Sequence, residues 1–327
     1  ARAAPPATGV RVMRFDFHRA TTGWCISEVN SDVPGGFIEA GAVAALFAEH
    51  YPDLYPPADP AAVLVDELAA LLPPAADVAF IHATAYTDDR QVMAHLARRS
   101  AARGLRPHLV SPEGVRWTHR AARLAAPPAT PLAALVRFFP AEWLPNLSRG
   151  SGWRHYFAAG ATPQCNPATA LLTQSKRVPL VWDELGVALP TWRRLLPETR
   201  PVPPAAQLRD GGWVLKPALG RVGEAVGIAG VTAPRDWRQI TRWARWSGRH
   251  WVAQRRFTAV PLPTPRGDVY PCIGVFVIAG RAAGAYGRVA ARPLIDDQAQ
   301  DAAVLVAAAA PTRAERSAHD PLTAAVV

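Results

Sequence analysis

The stretch "RFDFHRATTGWCISEVN", Arg14 to Asn30, decides how the rest of the chain is read. Apolar and polar residues take turns on both sides of "HRATTG", the pattern of two strands joined by a short polar turn. Successive side chains on a strand point to opposite faces, so Arg14 shares a face with Asp16, and Glu28 shares one with Asn30. Phe15, Phe17, Ile26 and Val29 supply an apolar core face on the other side. The polar set then looks into a cleft, and hairpin pairing brings Asp16 opposite Glu28 and Asn30. Asp16, Glu28 and Asn30 offer only oxygen donors, the kind a hard cation such as Mg²⁺ prefers.

With 327 residues, half of them hydrophobic, and a mean hydropathy of +0.01, the chain can bury a large core in two or three packed subdomains. No run approaches the roughly 18 apolar residues a membrane helix needs, and "ARAAPPATGV" at the N-terminus lacks a signal core. Cys25, Cys165 and Cys272 are odd in number and far apart, which suits a reducing compartment better than a disulfide framework or a zinc site. These features predict a soluble, cytoplasmic protein without a membrane partner. The net charge of +10 and pI near 10.3 invite a nucleic-acid reading. The basic residues are scattered, however, no recognition-helix or zinc-finger spacing occurs, and "TRWARWSGRHW" reads equally as an amphipathic helix and a following strand. Nucleic acid is therefore not expected as the main ligand.

The kind of basic residue is more telling than the number. Of the 36 Lys and Arg, only Lys176 and Lys216 are lysine. Lysine is a compact point charge on a slender stem and arginine a broad fork, so a tight anionic pocket can demand the former. Lys216 sits mid-strand in "GGWVLKPALGRVGEAVGI", where Gly220, Gly223 and Gly227 mark a flexible connection whose backbone N–H groups can approach phosphate oxygens. Neither GxxxxGK[ST] nor GxGxxG is present, and no GxSxG, HExxH or Cys/His arrangement offers a hydrolase. Lys176, in "LTQSKRVPL", lies near a helix end just before Pro179, where it could also serve the last carbonyls. Gln254 alternates with apolar neighbours in "WVAQRRF", and Arg288 follows a strand of small residues. Oxygen donors for Mg²⁺, two lysines and a glycine loop together make a nucleotide site of the kind phosphoryl transfer needs.

Elsewhere, "DVAFIHAT", "DRQVMAHLARRSAARGL" and "RPHLVSPEGV" read as a βαβ unit, which argues for a parallel sheet. Phe37 to His50 and Ala61 to Leu72 read as helices, as does a tryptophan-rich stretch around Trp237 to Trp246, and "LPETRPVPPAAQL" reads as a linker.

On "RFDF…EVNSDVPGGFIEA", "RFFPAEWLP", "CNPATALLTQSKRVPLVWD", "GGWVLKPALGRVGEAVGI" and "AAGAYGRVA", the chain resembles the glutathionylspermidine synthases and their relatives, which are ATP-grasp ligases. The resemblance covers about residues 12 to 300 and implies an α+β or α/β fold, ATP-grasp-like and circularly permuted, because the E-x-N strand precedes both lysines. It implies Mg²⁺ on Asp16, Glu28 and Asn30, and Arg14 on the transferring γ-phosphate and the acyl phosphate. Lys176 and Lys216 would contact nucleotide phosphates, and the loop from Leu219 to Gly227, with Gly220 and Gly223, would be the lid. The strand around Gln254 would meet adenine, and Arg288 would sit at the reaction centre. The implied activity is an ATP-dependent carboxylate–amine ligase acting on a small-molecule or peptide carboxylate and an amine. An ATP-binding scaffold without turnover is the alternative, and a basic nucleic-acid binder the third reading. The amidase domain of some relatives is not seen, so no hydrolase activity is expected; relatives usually carry more sequence ahead of "RFDF", and no residue is assigned to glutathione or spermidine. The expected organisation is a flexible arm at 1–12, a metal-binding hairpin with the βαβ portion at 13–177, and a nucleotide lid at 178–252. An adenine strand and closing core strands follow at 253–300, then a disordered tail at 301–327.

Overall fold

The computed structural model describes residues 9–307 except 159, 209–210 and 222. Strands β1 (Val12–Ala20) and β2 (Gly23–Asn30) form the expected hairpin, with Arg14 opposite Asn30 and Asp16 opposite Glu28. A shift of register between Asp16 and Phe17 leaves Ser27 as an extra residue on β2. Strict alternation would have put Ile26 on the face of Glu28. The bulge turns it instead to the apolar side, where Ile26 and Val29 pack with Trp182 and Leu196.

On its other edge β1 pairs with β15 (Gly267–Ile278), and the sheet continues through β16 (Arg281–Ala290) to β17 (Gln300–Ala302). Strand β14 (Leu262–Thr264) pairs with the start of β15, and every pairing in this core sheet is antiparallel. A second antiparallel sheet is smaller, with the order β10 (Thr199–Arg200), β13 (Trp251–Arg255), β11 (Trp213–Pro217) and β12 (Gly227–Ile228). Trp213, Leu215, Trp251 and Ala253 form one face of it and are covered by Ile240 and Ala244 of helix α6 (Pro234–Trp246). Side chains alternate along a strand, so Val214, Lys216 and Gln254 turn to the opposite face.

The third sheet is parallel, in the order β5 (Arg106–Val110), β4 (Asp77–Ile81), β8 (Ala134–Arg137) and β9 (Gln164–Cys165). Helix α3 (Thr87–Ala102) makes the βαβ crossover, and β4 is buried at every position, as a central parallel strand should be. Helix α2 (Pro60–Leu71) starts on Asp59, whose carboxylate accepts from the N–H of Ala61 (2.9 Å) and Ala62 (3.3 Å). Leu64 and Leu68 of α2 join Val12, Phe80, Phe276 and Ile278 in one core that ties the parallel sheet to the core sheet. Shorter pieces complete the chain. They are a π-helical turn (Glu39–Val43) running into α1 (Ala44–Ala48), α4 (Leu171–Gln174), α5 (Pro190–Leu195), and the pairs β3 (Leu54–Tyr55) with β18 (Val306–Ala307) and β6 (Val115–Thr118) with β7 (Ala121–Leu124).

Several boundaries differ from those read in the sequence. Residues 1–8 of the expected arm lie outside the described residues, but Val10 and Val12 are buried, and the Val12 N–H donates to Asn166 Oδ1 at 2.9 Å. The expected tail begins inside structure, because β17 pairs with β16 and β18 with β3; residues 308–327 lie outside the described ones. The proline-rich "linker" contributes β10, which completes the small sheet beside β13. Residues 178–196, grouped with the lid, instead pack under the hairpin through Trp182, Trp192 and Leu196. Gln254, grouped with the closing core strands, lies in the small sheet. Among the described residues no helix is long and apolar enough to cross a membrane.

Candidate active site

A cavity of about 490 Å³ is walled on one side by core-sheet residues Arg14, Asp16, Glu28 and Asn30, and on the other by Val214, Lys216, Ile228 and Gln254 of the small sheet. The guanidinium of Arg14 forks onto Asp16, with Nε to Oδ1 at 2.7 Å and Nη2 to Oδ2 at 3.0 Å. Its Nη1 donates to the Gly35 carbonyl at 2.7 Å, and the group lies 5.2 Å from the centre of the Tyr286 ring. Burial alone would lower the Arg14 pKa, but the charge and hydrogen bonds of Asp16 outweigh it and raise the pKa above its usual value. Asn30 Nδ2 donates to Asp16 Oδ2 at 3.0 Å.

Glu28 has a different partner. Lys176, which follows α4, places Nζ 2.9 Å from Glu28 Oε2 and donates to the Gly220 carbonyl at 2.8 Å. Burial would push the Glu28 carboxyl up, yet Lys176, Lys216 and Arg14 together hold it down to about 2. Lys216 is the buried lysine of the pair. Its Nζ donates to Gln254 Oε1 at 2.7 Å and to the Ser27 carbonyl at 2.9 Å, so the bulge residue supplies one of its acceptors. Gln254 Nε2 is held in turn by Thr199 Oγ1 at 3.3 Å. Burial lowers the Lys216 pKa, Glu28 pulls it back, Lys176 opposes, and it settles at about 8. A second cavity of about 260 Å³ adjoins Lys176, Glu28 and Gln254, with Trp182, Leu189 and Trp192 among its apolar walls.

The site residues read in the sequence thus meet, with one qualification about Arg288. It lines the main cavity, but its Nη2 is engaged by the carbonyls of Asp296 (2.9 Å) and Ala299 (3.2 Å). Tyr286, beside it on β16, donates from its hydroxyl to Asp301 Oδ1 at 2.7 Å. The glycine loop lies against the cavity. Gly223 adopts φ +70°, and a Cβ there would run into the Ile295 carbonyl oxygen.

Residues that the sequence reading missed hold this arrangement in place. Arg221, in the glycine loop, pairs with Glu142 at 2.8 Å and Asp32 at 3.4 Å. Asp32 is fully buried, paired with Arg137, and accepts the Ala141 N–H at 2.9 Å. Gln174 Oε1 accepts the N–H groups of Ser31 (2.7 Å) and Asp32 (3.0 Å), while its Nε2 reaches Asn30 Oδ1 at 3.4 Å. Asn166 ties Val12 to Ser31 and Asp32. The one sequence signal was the "SDVPGG" that follows the E-x-N strand, a polar turn placed where a core-bound chain would be apolar.

Among the described residues no group of three His, Cys, Asp or Glu is placed to hold a metal. The candidate donors are two carboxylates and a carboxamide, the oxygen chemistry a hard cation prefers: Asp16 and Glu28 are direct cross-strand partners, while Asn30 presents Nδ2 to Asp16 and would have to turn its carboxamide to offer Oδ1. With Arg14, Lys176 and Lys216 around them, the site holds opposite charges at close quarters in a place partly shielded from water, where such charges act more strongly than in bulk.

Fold and site define a mixed α/β protein with a charged cleft between an antiparallel core sheet and a smaller antiparallel sheet. The family model described as "Glutathionylspermidine synthase preATP-grasp" matches residues 10–306, and the chain belongs to that family. A crystal structure from Methylobacillus flagellatus KT, provisionally described as a gamma-glutamylcysteine synthetase, is similar in fold. Its TM-score is 0.55 at 12% identity, over 90% of this chain and 80% of that one. Among curated proteins none matches the chain.

Proposed function

We propose that the protein is an ADP-forming carboxylate–amine ligase of the ATP-grasp kind, circularly permuted, with ATP and Mg²⁺ as cofactors. The observation that carries this reading is Glu28, a half-buried carboxylate held between Lys176 and Lys216 and directly opposite Asp16 with its Arg14 partner. A site with that many compensated charges has a ready exchange of partners: Lys176 can turn from Glu28 to a phosphate oxygen once Glu28 faces a cation, leaving no buried charge bare.

In this reading Lys176 and Lys216 bind nucleotide phosphates, and Gln254 lies beside the base. Asp16, Glu28 and Asn30 would hold Mg²⁺, which when bound neutralises phosphate oxygens. The substrate carboxylate oxygen attacks the γ-phosphorus, the bond from that phosphorus to the bridging oxygen breaks, and ADP leaves. Arg14, already fixed by Asp16, steadies the transferring phosphoryl group, with Arg288 at the same centre. The amine then attacks the acyl carbon of the acyl phosphate, phosphate leaves with the C–O bonding pair, and the nitrogen gives up a proton to form the amide. The loop 219–227 covers the cavity as a lid and keeps water from the acyl phosphate. The provisional synthetase description of the Methylobacillus structure agrees with a ligase. Titration of MgATP into the wild type and Lys216→Ala by calorimetry tests the nucleotide half of the reading. Affinity should fall at least tenfold in the variant, and equal affinity would remove Lys216 from the site.

A further inference from the structure

Helix α6 covers the back of the small sheet, on the side away from the cavity. Its buried face is Ile240 and Ala244. The opposite face carries Arg235, Arg238, Arg242 and Arg245, and Arg249 continues the line in the turn after the helix. Alternate steps of three and four residues keep all five on one stripe, roughly 20 Å long. All five are exposed. Among the described residues none has a carboxylate partner; Arg249 Nε donates only to the neighbouring His250 ring at 3.0 Å. Like charges one turn apart weaken a helix, so this row works against the stability of the element that bears it. Fold stability therefore does not account for it.

Beside the stripe, Trp246 is 89% exposed and Trp243 41% exposed. Two surface grooves meet at Trp246. One runs between the Trp237 and Trp246 rings past Arg238, Arg242 and Arg245, and the other passes Arg249 and His250. Guanidinium groups at one-turn intervals with an indole face among them are what a flexible polyphosphate strand carrying flat bases needs: charges for the backbone and a stacking platform for a base. A membrane surface is a poorer match, because an interfacial helix inserts its apolar face and here that face is packed on Trp213, Leu215 and Trp251.

We propose that the outer face of α6 binds single-stranded nucleic acid, through the stripe from Arg235 to Arg249 and the indole of Trp246. This second activity stands apart from the ligase reading and does not depend on it.

The test is fluorescence anisotropy of labelled single-stranded RNA and DNA of about 20 nucleotides titrated with the full chain, from about 50 to about 200 mM salt. Three or more contacts to phosphate give a log–log salt slope of about −2 or steeper. Arg238→Glu/Arg242→Glu/Arg245→Glu should lose at least tenfold in affinity. Trp246→Ala should lose about fivefold or more and abolish any quenching of tryptophan fluorescence by the strand. The milder Arg242→Gln/Arg245→Gln provides the same comparison if the charge-reversed variant misfolds, and unchanged thermal unfolding certifies the fold of each. Absence of binding at low salt would overturn the proposal, as would binding that survives charge reversal. Equal binding of polyglutamate with no effect of Trp246→Ala would assign the stripe to an acidic protein partner. Arginine-dependent sedimentation with phosphatidylglycerol vesicles, without oligonucleotide binding, would assign it to a membrane.

Discussion

Asp16 and Glu28 are direct partners across the β1–β2 hairpin, yet each carboxylate answers to a different cation, Arg14 for Asp16 and Lys176 for Glu28. Arg14 comes from the same strand as its partner, whereas Lys176 arrives from beyond the parallel sheet. The two carboxylates of the hairpin are thus held from different directions, an asymmetry on which the predicted behaviour of the site rests.

Glu28→Gln leaves the ammonium groups of Lys176 and Lys216 facing each other without a counter-charge. The pair is not wholly dry, so the expected loss is about 2 kcal/mol, below the 3–5 typical of breaking a fully buried pair. The folded-state pKa of Glu28, about 2, lies below the 4.5 of a free glutamate. Its contribution is thus fully present above pH 4.5 and is lost as pH falls towards 2. Denaturant unfolding at a series of acidic pH values should show that part of the acid sensitivity disappear in the variant.

Lys216 gives a slope of the same sign from the opposite cause, because burial disfavours its charged form. It is charged below about pH 8 and neutral above in the folded protein, whereas the unfolded chain keeps its proton up to about 10.5. Stability therefore rises between those values, because the unfolded state holds the extra proton. Phosphate binding runs the other way: above pH 8 the lysine must take up a proton to bind, so ATP affinity should weaken by up to tenfold per unit. Calorimetry in buffers of different ionisation enthalpy should detect that proton uptake at high pH, and Lys216→Ala should lose it.

Asp32 supports the site without lining the cavity. Asp32→Ala strips the fully buried Arg137 of its counter-charge and should cost about 3–5 kcal/mol by chemical denaturation. The double variant Asp32→Ala/Arg137→Met should recover much of that loss, since neither buried charge remains.

Gly223→Ala forces a side chain towards the Ile295 carbonyl at a backbone angle unfavourable to alanine. The loop should lift, Arg221 should lose Glu142 and Asp32, and trypsin should cut at Arg221 faster than in the wild type. Turnover should fall by about a hundredfold, as expected when closing elements are misplaced by an ångström or so.

The local parts of this architecture were readable in the sequence, the long-range ones only in outline. Alternation marked β1 and β2, and the run "DVAFI" with its following helix marked the parallel unit, because periodicity is a property of neighbouring residues. The two-residue strands β9, β10, β12 and β18 left no such signal. A strand that short is made by its partner's hydrogen bonds, so Thr199 and Arg200 inside a proline-rich stretch read as linker. Asp16, Glu28, Asn30, Lys176 and Lys216 were singled out by their chemistry, and the fold brings them to one cleft. The pairing of Glu28 with Lys176 was not, since it depends on how α4 docks. Arg221, Gln174 and Asp32 were invisible for the same reason: in sequence, a buried network of polar residues looks like any polar turn.

The account turns on phosphoryl transfer from ATP to a carboxylate in this cavity. Its most direct measurement is incubation of the full chain with MgATP and a pool of metabolite carboxylates and amines, followed by mass spectrometry and nucleotide analysis. The account predicts ADP and phosphate in equal amounts, with a product whose mass is that of a carboxylate plus an amine less one water, and none of these with Lys216→Ala. AMP and pyrophosphate in their place, or normal ATP binding with no ADP from any substrate pair, would contradict it.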